Sequence, residues 1–218
     1  MTPVTRDYLS VPEDIYAESF RIAKAETDLT DIDEELRPLA LRLVHAAGDP
    51  ALANDLRAVP GAVTRGATAL RRGAAILTDS EMLAAGVIRR FLPCDNSVHC
   101  FLNDARARTI AARRRTTRSA AAVDLWADKM GGAVVAIGNA PTALFRLIEI
   151  LNDGAPHPAL VIAMPVGFVG AAEAKAAFAE CGHDIDHIAV TGRRGGSSLA
   201  AAAINALAIE AQSHGAGR

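Results

Sequence analysis

Short apolar runs alternate with longer amphipathic segments from residue 74 onward. Runs of strand length occupy five positions, at residues 74–78, 98–102, 133–137, 160–164 and 187–191. Segments with helical character lie between and after them, at residues 80–90, 104–128, 141–152, 171–181 and 197–212. Strands that are apolar on both faces and are joined through helices are typical of a parallel sheet covered on both sides. The pattern therefore predicts a three-layer α/β/α fold with five mainly parallel strands.

The first third of the chain has a different pattern of apolar residues, which predicts helices and no strands. Apolar residues recur at helical spacing over 12–26 and 31–47, with Pro12 at the start of the first segment and Gly48 directly after the second. We expect these extra N-terminal helices to pack on the sheet. Residues 1–218 then form one domain, with a flexible tail over 212–218.

Composition excludes several classes of protein. Half of the 218 residues are hydrophobic and 22% are charged, which is typical of a globular chain, and no apolar run is long enough to cross a membrane. The first residues show no secretory or transit signal, so we expect a cytoplasmic location. Three cysteines without a C-x-x-C spacing predict reduced thiols and no metal site: Cys94, Cys100 and Cys181.

Charge is distributed unevenly along the chain. The net charge is −2, but residues 1–60 carry 6 basic and 12 acidic groups, whereas residues 61–120 carry 11 and 4. The basic middle third could attract an anionic substrate or the acidic third of a partner subunit, or it could form solvated helix faces. Only 4% of residues are aromatic, which disfavours stacking on nucleic acid bases, so no nucleic acid partner is expected.

Small-residue loops follow the last three predicted strands. They begin at Gly138, Met164 and Thr191. In an open parallel sheet the ligand crevice lies beyond the carboxyl ends of the strands, so backbone N–H groups of these loops could bind carboxylates or phosphates. The glycines could also serve only as tight turns. Neither nucleotide-binding fingerprint is present, so ATP and NAD are not expected, and we predict no cofactor.

Five stretches of the sequence, in order and spacing, resemble the precorrin-8X methylmutase family, also called precorrin isomerases. They are residues 42–50 (RLVHAAGDP), 117–122 (TRSAAA), 138–144 (GNAPTAL), 165–173 (PVGFVGAAE) and 194–197 (RGGS). The resemblance runs from about Ile15 to Leu207. It implies an isomerase of cobalamin biosynthesis that moves a methyl group from C-11 to C-12 of precorrin-8X, giving hydrogenobyrinate. It also implies a flavodoxin-like sheet and a homodimer.

The same resemblance assigns the site residues. It implies that His45 is catalytic and that Ser19, Arg42 and Arg118 contact the substrate. The crevice loops add further expected substrate-binding residues, namely Asn139, Thr142, Gly167, Phe168, Gly195, Gly196 and Ser197.

The spacing and chemistry of the residues also support a functional role for His45. Arg42 and His45 are spaced i, i+3 near the end of a predicted helix, so they share a face and could reach one ligand. An imidazole can give or accept a proton near neutral pH, and a guanidinium can hold a carboxylate with two parallel hydrogen bonds. Three further cations lie near the crevice loops and are expected to face solvent: Lys175, Arg193 and Arg194.

Other functions remain open at this stage. One is the cobalt-containing counterpart of the reaction, in which the substrate is cobalt-precorrin-8. Another is a non-catalytic corrinoid carrier, in which His45 would be dispensable. A nucleotide-dependent Rossmann-type enzyme would need a cofactor site that the loops do not show. Hand-over of the product to the next pathway enzyme is a possible further interaction.

Overall fold

The computed structural model describes residues 8–181 and 183–213. Within these ranges the chain forms a sheet of six strands in the order β1-β6-β5-β4-β2-β3. Five of them are parallel and lie inside the predicted runs. The six strands are Leu56–Ala58 (β1), Ile76–Thr78 (β2), Val98–Cys100 (β3), Val134–Ile137 (β4), Leu160–Ala163 (β5) and His187–Val190 (β6). The predicted parallel sheet is confirmed, and the order of its parallel strands is flavodoxin-like.

β1 corrects the predicted strand count of five. It pairs antiparallel with β6, placing Leu56 opposite Val190 and Arg57 opposite Ala189. Its three residues include an exposed arginine, so it lacks the continuous apolar run that marks a strand buried on both faces. A strand this short gains its order from its neighbour, which the local sequence does not reveal.

The described residues form ten α-helices. They are Pro12–Glu26 (α1), Arg37–Ala47 (α2), Ala62–Arg71 (α3), Glu81–Gly86 (α4), Ala105–Arg114 (α5), Arg118–Val123 (α6), Ala127–Met130 (α7), Pro141–Asn152 (α8), Ala171–Glu180 (α9) and Ser197–Ser213 (α10). Short 3₁₀ turns occupy Glu34–Leu36, Pro50–Asp55 and Arg89–Phe91. α3 has no counterpart among the predicted elements.

Three predicted helices are divided in the structure. The segment 104–128 breaks because Arg115 adopts a left-handed conformation with φ 53° and Thr117 then caps α6 through the N–H of Ala120. The segment 31–47 begins as a 3₁₀ turn before α2, and the segment 80–90 is interrupted by extended backbone after Gly86. Each break lies at a local cap or turn that helical periodicity does not detect.

The sheet separates two apolar cores. Val134 and Ala136 point to the core shared with α2, α3, α4 and α10, whereas Val135 and Ile137 point to the core shared with α8 and α9. α10 packs against α2, α3 and α4 and also contacts β4 and β5. The α1–α2 pair therefore lies on the α10 side of the sheet, and α5, α6 and α8 lie on the other.

α10 continues through Ser213, so residues 212 and 213 of the predicted flexible tail are helical, and 214–218 lie outside the described residues. In the ranges given above, no helix is long and apolar enough to cross a membrane. The same ranges contain no group of three or more histidine, cysteine or carboxylate side chains that could hold a metal ion.

Candidate active site

His45 lies at the contact between α1 and α2. Its Nδ1 atom is 2.8 Å from the hydroxyl oxygen of Ser19, and its ring stacks on Phe20 with 4.8 Å between centroids and 18° between planes. His45 is nevertheless exposed. Because Ser19 bonds Nδ1 and Phe20 covers one ring face, the ring is oriented with Nε2 left to meet a ligand.

Arg42 is held on the same face of α2. Its Nη2 atom donates a 2.9 Å hydrogen bond to the hydroxyl of Tyr16, and its guanidinium carbon lies 5.4 Å from the centroid of the Phe20 ring. Tyr16, Ser19 and Phe20 are spaced i, i+3 and i+4 on α1, so they present one face to α2. That face fixes both the cation and the imidazole.

A cavity of about 730 Å³ opens beside these side chains. Arg42, His45 and Tyr16 form one wall, and Arg90 and Phe91 belong to another. α10 contributes the floor through Ala202, Asn205 and Ile209. The cavity is large enough for a substantial part of an organic ligand and is charged at its rim.

A second cavity, of about 400 Å³, contains the predicted residues Gly167, Phe168 and Gly195. It also touches Ala47 and Leu199, whereas Ala46 and Ala202 line the first cavity. Three residues along α10 correspond to about 4.5 Å, so the two cavities are neighbours along the same helices. A ligand wider than either cavity could contact both.

Two crevice loops are joined by backbone hydrogen bonds at the second cavity. The N–H of Gly196 donates to the carbonyl of Met164 at 2.9 Å, and the N–H of Gly167 donates to the carbonyl of Arg193 at 3.2 Å. Gly195 has φ +155°, and a Cβ at this position would overlap the carbonyl of Met164. This close approach of two chains requires glycine at 195.

Asp79 follows β2 and is fully buried, and sequence analysis did not identify it. Its carboxylate accepts hydrogen bonds from the N–H groups of Gly138, Asn139 and Ala140 at 3.0, 2.9 and 2.8 Å. Burial raises the pKa of Asp79, while these three bonds act in the opposite direction. The expectation that this loop offers these N–H groups to a ligand is therefore wrong, because Asp79 already occupies them. The side chain of Asn139 is exposed.

Ser197 is also engaged inside the protein. Its hydroxyl oxygen lies 2.8 Å from that of Ser80, and both residues are buried. Ser80 in turn caps α4 by accepting from the N–H of Leu83. Ser197 therefore secures the start of α10, whereas Arg193, Arg194 and Gly195 of this loop line the second cavity.

Arg118 and Thr142 form a third group on the other side of the sheet. Arg118 is exposed at the start of α6, and the preceding Thr117 has its hydroxyl oxygen 2.8 Å from that of Thr142. α6 packs against α8, on the face of the sheet opposite α10. The structure thus brings His45, Arg42 and Ser19 together but places Arg118 in a different layer.

The chain is similar to proteins of one family over almost all of its length. A family model described as precorrin-8X methylmutase matches residues 14–210. The chain belongs to the precorrin-8X methylmutase family. The resemblance found in the five sequence stretches is therefore confirmed.

Relatives and a solved structure of the family are similar to this chain over most of its length. Proteins named precorrin-8X methylmutase are 49% identical in Pseudomonas aeruginosa, over 94% of this chain and 98% of the relative, and 50% identical in Sinorhizobium sp, over 93% and 96%. A protein named cobalt-precorrin-8 methylmutase from Methanothermobacter thermautotrophicus is 39% identical over 76% of each chain. The crystal structure of the Thermus thermophilus precorrin-8X methylmutase has a TM-score of 0.84 and 38% identity, covering 93% of this chain and 98% of that one.

In this member of the precorrin-8X methylmutase family, Lys175 departs from its expected exposure to solvent. It is only 4% exposed, and its Nζ atom donates a 2.7 Å hydrogen bond to the carbonyl of Arg194. Burial lowers the pKa of Lys175 to about 8. The expectation failed because α9 lies under the loop after β6, which only the tertiary fold reveals. Arg193 and Arg194 are exposed, as expected.

Sequence analysis also missed the aromatic support of His45. Tyr16 and Phe20 belong to the apolar pattern of the predicted helix 12–26, and their spacing from Ser19 places all three on one face. That spacing was the available signal. Arg90 and Phe91 had none, because they reach the first cavity from a 3₁₀ turn 45 residues beyond His45.

Proposed function

We propose that this chain is an isomerase of cobalamin biosynthesis that moves a methyl group from C-11 to C-12 of precorrin-8X to give hydrogenobyrinate. The observation that carries the proposal is the imidazole of His45, oriented by Ser19 and Phe20 at the mouth of the 730 Å³ cavity. Membership of the precorrin-8X methylmutase family supplies the reaction class.

The chemistry requires a positioned proton donor. In a 1,5-sigmatropic shift the methyl group leaves C-11 and bonds to C-12 while the ring electrons rearrange, with no net oxidation or reduction. Protonating or hydrogen-bonding a ring nitrogen biases the electrons toward migration, and this interaction strengthens in the transition state. When the hydroxyl of Ser19 donates to Nδ1 of His45, Nε2–H becomes the donor that faces the substrate.

Substrate recognition rests on capture of carboxylates. The proposed substrate carries acetate and propionate side chains, which suit the guanidinium groups of Arg42 and Arg118. We assign the second cavity, with Gly167, Phe168 and Gly195, to the edge of the macrocycle. Gly196 and Ser197 shape that wall from behind. Asn139 and Thr142 complete the contacts on the Arg118 side.

We infer a homodimer as the working state. Arg118 lies on the opposite side of the sheet from His45, so a second copy offers a route for Arg118 to reach the same ligand. α1 also leaves apolar side chains exposed beside the site, with Ile15 44%, Tyr16 49% and Ile22 40% exposed. Light scattering at micromolar concentration tests this. A mass near twice 22.8 kDa supports the dimer, and a mass near 22.8 kDa contradicts it.

The metal-free substrate is favoured over its cobalt counterpart. Relatives named for precorrin-8X share about half of their residues with this chain, whereas the cobalt-precorrin-8 relative shares fewer. Turnover of both substrates, followed by the visible absorption spectrum, is the test. Faster conversion of precorrin-8X supports the proposal, faster conversion of the cobalt form assigns the chain to that branch, and binding without conversion of either identifies a carrier.

The proposal also covers the location of the reaction, its cofactor requirement and the fate of the product. We place the reaction in the cytoplasm without an added cofactor, and we expect the bound product to pass to the next enzyme of the pathway. Conversion by purified protein in buffer alone tests the cofactor requirement, because a need for an added small molecule would contradict it.

A further inference from the structure

Lys175 lies behind the wall of the second cavity. It is on α9, is 4% exposed, and its Nζ atom donates to the carbonyl of Arg194 at 2.7 Å. Burying an ammonium group costs folding free energy unless its hydrogen bonds and nearby charges compensate. The carboxylate of Asp55 is the opposite charge that acts on it. Because burial of the Lys175 ammonium group costs folding free energy, its presence here indicates a role in holding Arg194.

Arg194 is held at both ends. Lys175 binds its carbonyl, and its guanidinium lies 3.2 Å from a carboxylate oxygen of Asp49 and 3.4 Å from one of Asp55. Asp49 lies two residues beyond the end of α2, the helix that carries His45. Arg194 therefore links the loop after β6 to the end of the catalytic helix.

The next residue, Gly195, lines the second cavity. Its backbone packs against the carbonyl of Met164, and the adjacent N–H of Gly196 donates to that same carbonyl at 2.9 Å. Because the Arg194 carbonyl carbon is bonded directly to the nitrogen of Gly195, a shift of this carbonyl would also move the contact with Met164. The bond from Lys175 is thus placed to set the cavity wall.

We propose that Lys175 is a positioning residue that fixes the loop 192–196 against the end of α2, so that the second cavity and His45 keep one relative geometry. This role deepens the proposed function, since it assigns Lys175 to the shape of the substrate site. The order of the loop itself can be measured without any substrate.

The first experiment is hydrogen exchange on the full chain without ligand. Lys175→Met keeps the apolar stem and removes the donor, whereas Lys129→Met removes an exposed lysine at a distant helix and serves as the control. A lost charge-assisted hydrogen bond corresponds to roughly tenfold or more in a local opening equilibrium, so the amides of Gly167 and Gly196 are expected to exchange about tenfold faster. Unchanged exchange in Lys175→Met would overturn the inference.

The second experiment separates binding from chemistry. In Lys175→Met, KM and the Kd for hydrogenobyrinate are expected to rise about tenfold while kcat changes little, because His45 and Ser19 are untouched. Lys175→Arg keeps a cation that can donate to the same carbonyl and is expected to restore part of the affinity. A fall in kcat at constant KM would contradict a positioning role.

A pH profile adds a readout that a purely structural side chain would not move. The charged groups around Lys175 are the carboxylate of Asp55 and the Asp49–Arg194 pair. Because the pKa of Lys175 is about 8, affinity for hydrogenobyrinate is expected to fall as pH rises through 8. The inflection should persist in Lys129→Met and vanish in Lys175→Met, and its persistence in Lys175→Met would count against the proposal.

The proposed function and the role of Lys175 can fail separately. If the wild type converts no precorrin-8X, the proposed function fails, while the hydrogen-exchange result still decides the role of Lys175.

Discussion

The hydroxyl oxygen of Ser19 lies 2.8 Å from Nδ1 of His45, although the two residues are 26 positions apart. The contact exists because α1 packs across α2 and brings Phe20 onto the imidazole ring. The orientation of the ring is therefore set by the docking of a whole helix. When the Ser19 hydroxyl is the donor in this hydrogen bond, His45 presents Nε2–H to a ligand.

Removing the Ser19 hydroxyl should slow catalysis without preventing binding. In Ser19→Ala, a net loss of about 1 kcal/mol in ring orientation corresponds to roughly fivefold in kcat, with KM nearly unchanged. Ser198→Ala, at an exposed serine near the start of α10, is the matched control. Steady-state kinetics check this, and equal kcat values for Ser19→Ala and wild type would mean that Phe20 alone holds the ring.

Replacing the buried Asp79 should lower the stability of the protein. In Asp79→Asn, only one of the two acceptor oxygens remains, so the amide NH2 would face the N–H of Gly138 or the N–H groups of Asn139 and Ala140 and could not accept from them. We expect a loss of about 2–3 kcal/mol in the free energy of unfolding, or about 4–12 °C in Tm. Asp95→Asn, at an exposed position, should change little. Thermal unfolding followed by circular dichroism is the measurement, and a Tm equal to wild type would show that the loop does not depend on Asp79.

The sequence predicted the parallel core well because its strands are buried on both faces. Runs such as Val134–Ile137 are continuously apolar, and that signal survives without any tertiary information. Elements that depend on tertiary contacts were missed or were predicted with the wrong bounds. β1 needs β6 beside it, and the break before α6 depends on the side chain of Thr117 capping a new helix.

Arg118 should contribute to affinity more than to the rate at saturation. Loss of a charge-assisted hydrogen bond to a carboxylate costs about 1.5–3 kcal/mol, so Arg118→Ala should weaken hydrogenobyrinate binding by roughly 10- to 150-fold. Arg118→Lys should restore only part of this, since it keeps the charge but not the paired donors. Arg113→Ala, at an exposed arginine of α5, is the control. Absorbance titration of the apo protein is the test, and equal affinities for Arg118→Ala and wild type would assign the basic middle third to the dimer or to solvation.

Only part of the candidate site could be predicted from the sequence. The spacing of Arg42 and His45 on one helix face predicted their proximity, and Ser19 entered through resemblance to the family. The use of the 138–140 N–H groups by Asp79 could not be foreseen, because it depends on β2 and β4 lying side by side. The burial of Lys175 likewise follows from the position of α9 beneath the loop after β6.

The central claim is that His45 supplies the proton or hydrogen bond that drives the methyl shift. The most direct measurement is the single-turnover rate of His45→Ala with precorrin-8X, together with its Kd for hydrogenobyrinate and its Tm. His157→Ala, at an exposed histidine beside Gly132 just before the start of β4, is the control. We predict a rate about 10²- to 10⁴-fold below wild type, with Kd and Tm nearly unchanged. A rate close to wild type in His45→Ala would contradict the account.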